Sequence, residues 1–151
     1  MELRTLILAI LFTSGVVVAA PPRSPTRQSP AAARTKLLKV LRVKESRGIN
    51  NAVGDRGKSK GPLQIQRPYW TEACRYAGVG GLRSWTYDKA VWDWQRSQRV
   101  VQWYWQKNCP TAYRTGNLEV LARTHNGGPN GPRRTATLKY WTSVKLMLGI
   151  R

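Results

Sequence analysis

The chain has 151 residues, of which 26 are Lys or Arg and 7 are Asp or Glu, so its formal charge is +19. This length suits one domain and argues against a multidomain protein. No segment after residue 20 is apolar enough to span a membrane. The excess of positive charge indicates a partner of negative charge.

Residues 1–20 have the pattern of a secretory signal peptide, in which Arg4 precedes an apolar run and small residues end it. An uncleaved anchor is the alternative, but about 15 apolar residues are fewer than the ~20 that a spanning helix needs. Residues 21–34 contain four prolines and no apolar periodicity, which predicts a flexible basic leader. The folded domain is therefore expected to cover residues 35–151, and the protein is expected to be secreted.

The first predicted helix starts near Thr35 and ends at Gly48. Glu45 falls on its apolar face together with Leu37, Leu38 and Leu41. A carboxyl group on that side loses hydration, which favours the protonated form that a general acid needs. Glu45 is therefore a candidate general acid, and a salt bridge to an arginine is the alternative.

A glycine-rich polar segment over residues 48–61 follows this helix, and residues 62–66 predict a short strand or turn. If the chain doubles back as a hairpin, Asp55 faces Glu45 across a groove. Glycoside hydrolysis requires two carboxyl groups in one cleft, one to protonate the leaving oxygen and one to attack or stabilise the cationic centre. The alternative for Asp55 is a turn residue, because Gly-Asp pairs are common in turns.

Four later segments have helical periodicity: 67–78, 86–109, 117–127 and 135–148. One stripe of the longest segment predicts core positions at Ala90, Trp94, Ser97, Val101 and Trp105. Three aromatic residues fall off that stripe and are expected to be exposed or to make a second contact: Trp92, Trp103 and Tyr104. The chain is thus predicted to be mainly α, with a small β-hairpin region beside the cleft.

Two cysteines, Cys74 and Cys109, lie within the predicted domain. Export through an oxidising compartment predicts that they form one structural disulfide. Neither belongs to a CxxC motif or has a histidine nearby in sequence, so we expect no metal site and no nucleophilic thiol.

Three stretches of the sequence resemble the invertebrate-type (destabilase-like) lysozyme family. They are "ESRG" with the aspartate-containing loop behind it, "GPLQIQRPYW" and "ARTHNGGPNG". The resemblance runs from about Leu37 to Trp141 and implies an α+β lysozyme-like fold. Animal members are rich in cysteine, so this chain resembles a cysteine-poor branch.

The resemblance implies that Glu45 is the general acid and base and that Asp55 is the nucleophile or electrostatic partner. It also implies a set of substrate-binding residues: Ser59, Leu63, Gln64, Ile65, Tyr69, Trp70, His125, Asn126 and Gly127. Some members of the family are credited with isopeptidase activity through a serine and a histidine, and Ser59 and His125 are the matching candidates. A hydroxyl group attacks only if a base lies within hydrogen-bond reach, which the sequence does not show.

The resemblance therefore implies a retaining muramidase that cuts peptidoglycan, and no metal or organic cofactor is indicated. Chitin cleavage stays open as an alternative, because the same β-1,4 geometry would fit. A lytic transglycosylase on peptidoglycan is one alternative, since it needs the glutamate but not Asp55. The other is a basic antimicrobial protein that binds nucleic acid or the bacterial envelope without catalysis. We expect a monomer whose charge attracts anionic envelope polymers and which recognises no specific nucleic acid.

Overall fold

The computed structural model describes residues 28–151 of the chain. It contains the α-helices α1 (Pro30–Ser46), α2 (Arg67–Tyr76), α3 (Tyr87–Ala90), α4 (Trp94–Asn108), α5 (Pro110–Thr115), α6 (Leu118–Gly127) and α7 (Ala136–Met147). It also contains the strands β1 (Val53–Gly54), β2 (Ser59–Lys60) and β3 (Ile65–Gln66). The predicted mainly α fold with a small β region is confirmed. The signal-peptide prediction for residues 1–20 lies outside the described residues.

Helix α1 begins at Pro30, five residues before the predicted start. The hydroxyl of Ser29 accepts a hydrogen bond from the backbone N–H of Ala32 at 3.2 Å, and Pro30 occupies the first helical position. A serine cap, a proline at the first position and alanines behind it all favour a helix start. Residues 30–34 are thus helical and not part of a flexible leader.

The three strands form an antiparallel meander in which β2 lies between β1 and β3. Val53 pairs with Lys60 in the first hairpin, and Lys60 pairs with Ile65 in the second. The turn of the first hairpin is a single turn of 3-10 helix over Asp55–Gly57. The predicted hairpin is therefore confirmed, and it carries Asp55 at its tip.

The predicted long helix over residues 86–109 is two helices, α3 and α4. It breaks because Asp93 caps α4, its Oδ1 accepting from the backbone N–H of Arg96 at 2.7 Å. The break leaves the carbonyl of Val91 free to accept from Ser97 Oγ at 2.8 Å and to pack against Gly61. The prediction of one continuous helix was therefore wrong, although most of its predicted core residues are buried.

The hydrophobic core lies between the helices and includes Trp70 and Trp105. Helix α2 packs against α4, and α6 packs against α7. Within residues 28–151, no helix has both the length and the apolar character needed to cross a membrane.

The two cysteines are not bonded to each other. Cys74 is buried within α2, where burial raises the pKa of its thiol to about 11. Cys109 is half-buried at the end of α4, and both thiols are free. The predicted disulfide is therefore wrong, and burial raises the pKa of both thiols, which disfavours the thiolate that disulfide formation requires.

Candidate functional site

A cleft of about 560 Å³ runs between the sheet, the end of α1 and helices α2 and α6. It is lined by Glu45, Asp55, Ser59, Gln64, Ile65, Gln66, Pro68, Tyr69, Glu72, Tyr104, His125, Asn126, Gly127, Gly128 and Arg134. The last turn of α1 supplies Glu45, and the tip of the first hairpin supplies Asp55. The two carboxyl groups proposed from the sequence thus line one cleft.

Glu45 lies in the more enclosed part of the cleft, and its side chain is 19% exposed. Its Oε1 accepts a hydrogen bond of 2.5 Å from the hydroxyl of Tyr140. His125 Nε2 lies 3.9 Å from the same oxygen. Burial lowers the pKa of His125, and this outweighs the opposing effects of Glu45 and of a backbone hydrogen bond at Leu63. The imidazole is therefore neutral at neutral pH, and within residues 28–151 no Lys or Arg side chain forms an ion pair with Glu45.

Asp55 has a different environment, because it is exposed at the hairpin tip. Its Oδ2 accepts from Ser59 Oγ at 2.5 Å and from Gln66 Nε2 at 3.4 Å. Its φ of +48° lies in the left-handed region, which aspartate tolerates better than most residues. The cleft thus holds two carboxyl groups in contrasting surroundings, since Glu45 is enclosed and Asp55 is exposed.

Gln64 fixes the loop between β2 and β3 behind this pair. Its Nε2 donates to the carbonyls of Ala52 and Gly61 at 3.1 and 3.0 Å. A Cβ on Gly54 would lie 2.3 Å from Gln64 Oε1, so a glycine at that position leaves room for the amide. Gln64 therefore ties the hairpin to the next loop and contributes to the cleft wall.

Seven of the nine proposed substrate-binding residues line the cleft: Ser59, Gln64, Ile65, Tyr69, His125, Asn126 and Gly127. Leu63 and Trp70 do not line it, and their side chains pack in the core, where they are 0% and 2% exposed. Trp70 instead donates its indole N–H to the carbonyl of Trp85 at 2.8 Å. Successive residues of a helix point about 100° apart, so Tyr69 faces the cleft while Trp70 faces the core.

Several cleft residues were not predicted: Gln66, Pro68, Glu72, Tyr104, Gly128 and Arg134. Tyr104 was expected to be exposed or to make a second contact; it is 4% exposed and stacks on Tyr69 with ring centroids 3.6 Å apart. Glu72 could have been found, since it lies three residues after Tyr69 and so on the same helical face. Tyr140 is also new, and nothing local in the sequence links it to Glu45.

Ser59 and His125 make hydrogen bonds to other partners. The serine hydroxyl donates to Asp55, and His125 Nδ1 lies 3.3 Å from the hydroxyl of Tyr69. Among residues 28–151 no hydrogen bond joins the two, so the serine has no histidine base. The same part of the chain contains no group of three or more His, Cys, Asp or Glu residues that could hold a metal ion.

Comparison with known proteins gives consistent matches. The sequence model of the Destabilase family matches residues 35–147. A lysozyme of Ostrea edulis is 34% identical over 90 residues, which are 60% of this chain and 61% of that protein. An invertebrate-type lysozyme of Ruditapes philippinarum is 38% identical over 94 residues, 62% and 63% of the two chains. Invertebrate-type lysozyme 6 of Caenorhabditis elegans is 32% identical over 124 residues, 75% and 86% of the two chains. The chain thus spans a little under two thirds of the length of the two molluscan relatives.

Proposed function

Because the chain belongs to the Destabilase family and its relatives are named lysozymes, we propose that it is a muramidase. Its substrate is then peptidoglycan, and the bond hydrolysed is the β-1,4 bond between N-acetylmuramic acid and N-acetylglucosamine. The observation that carries this proposal is the pair of carboxyl groups, Glu45 enclosed and Asp55 solvated, in one cleft.

The two residues have separate roles in the proposed reaction. Glu45 donates its proton to the glycosidic oxygen as the bond to the sugar breaks. Asp55 stays ionised and attacks or stabilises the positive anomeric carbon. Water then enters, Glu45 takes one of its protons, and the sugar leaves with its new hydroxyl. A retaining outcome requires the two carboxyl groups to approach within roughly 5 Å across the bound sugar.

The charge of +19 supports a bacterial wall as the target. Anionic wall polymers attract a basic protein and raise its encounter rate, and added salt weakens this effect. Export through residues 1–20 would bring the protein to that substrate, and an antibacterial or digestive role fits both features. Charge alone would also suit a protein that binds without catalysis, but such a protein needs no pair of carboxyl groups in a cleft.

The test is the clearing of a purified peptidoglycan suspension by wild type and by Glu45→Gln. The variant keeps the shape of the side chain and loses its transferable proton, so the rate should fall about 100-fold or more. Glu119→Gln is the matched control, because it makes the same substitution at a glutamate that pairs with Arg123 and does not line the cleft. Equal clearing by wild type and Glu45→Gln would refute the role of Glu45. No clearing by wild type would favour the basic binding protein.

Asp55→Asn distinguishes hydrolysis from lytic transglycosylation. A hydrolase that uses the second carboxylate should lose most of its activity, whereas a transglycosylase should keep it and release anhydro sugar ends. Asp88→Asn is the matched control, since Asp88 is exposed and pairs with Arg67 and Lys60 outside the cleft. Mass spectrometry of the released fragments reads the outcome independently of the rates.

A further inference from the structure

Tyr140 contacts the proposed general acid but has no role in the reaction described above. It lies on α7, and its hydroxyl donates to Glu45 Oε1 at 2.5 Å across 95 residues of sequence. Burial raises the pKa of Tyr140 far above its ordinary value of 10.0, and the neighbouring Glu45 raises it further. The phenol therefore keeps its proton, and remains a donor, throughout the pH range in which a glycosidase works.

The position of the Tyr140 ring is set by contacts between α1 and α7. Lys44, next to Glu45 on α1, places its Nζ 5.8 Å from the centre of the ring. The same Nζ donates to Ser143 Oγ on α7 at 2.9 Å. The phenol thus approaches the carboxyl group from a packed helix interface, and its position does not depend on Glu45 alone.

We propose that Tyr140 is a positioning residue that holds Oε1 of Glu45 and leaves Oε2 as the oxygen carrying the transferable proton. The proposal rests on the proposed function, because it assigns the proton that Glu45 delivers. Within residues 28–151, the phenol is the one hydrogen-bond donor to the Glu45 carboxyl group. A proton on Oε1 would have to share that oxygen with the phenolic proton, whereas Oε2 offers an open site.

The same contact stabilises the state that follows proton transfer. When the proton moves from Oε2 to the glycosidic oxygen, Glu45 becomes a carboxylate with its charge spread over both oxygens. The phenol then donates to a charged acceptor, and such hydrogen bonds are stronger than those to a neutral acid. Tyr140 therefore favours the product of the acid step as well as orienting the acid, so its loss should slow catalysis more than it weakens substrate binding.

The other groups around Glu45 do not replace this donor. His125 on α6 is neutral and 3.9 Å away, and Tyr69 on α2 is paired with His125. Asp55 on the hairpin tip and Arg134 before α7 line the same cleft without a hydrogen bond to Glu45 among the described residues. Removing the phenolic hydroxyl should thus leave the carboxyl group without a donor.

The test is Tyr140→Phe, with Tyr113→Phe as the matched control. Tyr113 donates its hydroxyl to Gln102 at 3.3 Å and does not line the cleft. We expect Tyr140→Phe to lower kcat on peptidoglycan about tenfold with little change in KM. Tyr113→Phe should change neither quantity.

A second measurement detects the hydrogen bond between Tyr140 and Glu45 without an activity assay. The chain has four glutamates, so ¹³C labelling of glutamate resolves the Glu45 carboxyl carbon in an NMR spectrum recorded at fixed pH. Its chemical shift should change in Tyr140→Phe, which removes the phenolic donor, and stay unchanged in Tyr113→Phe. An unchanged chemical shift together with unchanged kcat would overturn the proposal, as would a loss of kcat matched by Tyr113→Phe. If wild type cleaves no peptidoglycan, the muramidase proposal fails, while the chemical shift still decides whether Tyr140 contacts and positions Glu45.

Discussion

Replacing Gly131 with alanine should destabilise the protein strongly, because the backbone of α6 occupies the space that a side chain would need. A Cβ on Gly131 would lie 2.0 Å from the carbonyl oxygen of Arg123 and 2.7 Å from its carbonyl carbon. Both atoms belong to the backbone of the helix that carries His125. No side-chain rotation relieves this contact, so either α6 or the turn Gly131–Arg133 must move.

The magnitude follows from what that movement disturbs. Overpacking a buried position costs about 1–3 kcal/mol. The Gly131 carbonyl also accepts a hydrogen bond of 2.7 Å from the hydroxyl of Thr137. The same hydroxyl accepts a hydrogen bond of 2.9 Å from Arg123 Nε. Weakening these buried bonds adds about 1 kcal/mol. We therefore expect a loss of about 3 kcal/mol, which lowers the Tm of a domain of this size by about 10 °C.

The assay is thermal unfolding followed by circular dichroism at constant pH and salt. Gly81→Ala is the control, because Gly81 is exposed and a Cβ there meets no atom within 4 Å. It should unfold within about 2 °C of wild type. A Gly131→Ala variant that unfolds as late as this control would refute the steric argument.

Two further predictions concern side chains on α2. Trp70→Phe loses the hydrogen bond to Trp85 and some core volume, so urea unfolding should show a free energy of unfolding lower by about 2 kcal/mol. Its KM should stay unchanged, because the indole lies outside the cleft. Burial alone would raise the pKa of Glu72, but hydrogen bonds from Lys107 and Asn108 lower it overall. Its stabilising effect is therefore present above the ordinary value of 4.5 and lost as pH falls through the lowered value. Between pH 6 and pH 3 the unfolding free energy of Glu72→Gln should fall less than that of wild type, and an equal fall would contradict the ion pair.

Helical periodicity predicted most of the fold because it depends on local spacing. Leu37, Leu38 and Leu41 are buried on the face of α1 that the sequence indicated. The break between α3 and α4 was missed because the apolar stripe continues across it, with Ala90 and Ser97 both fully buried. Spacing alone does not reveal a break when the chain resumes in the same phase, and only the capping residue, Asp93, marked it.

The position of the two carboxyl groups in one cleft was predicted because it too depends on local chain geometry. A hairpin brings its tip back towards the preceding helix, so Glu45 and Asp55 could be expected to lie near each other. Trp70 was proposed for the cleft from the family resemblance, which does not distinguish it from its neighbour Tyr69, and its side chain lies in the core. Tyr140 and Tyr104 reach the site through the packing of α7 and α4, and no spacing rule predicts contacts between such distant segments.

Attraction to the wall and cleavage of the wall depend on different residues in this protein. The charge of +19 is spread over many side chains, so removing one carboxylate hardly alters attraction to an anionic polymer. The proposed chemistry instead depends on one enclosed carboxyl group and its phenolic donor. Glu45→Gln should therefore bind peptidoglycan as wild type does and fail to cut it, whereas high salt should weaken binding of both proteins equally. A wall-binding assay beside the clearing assay thus distinguishes an enzyme whose charge attracts it to its substrate from a basic protein that only binds the wall.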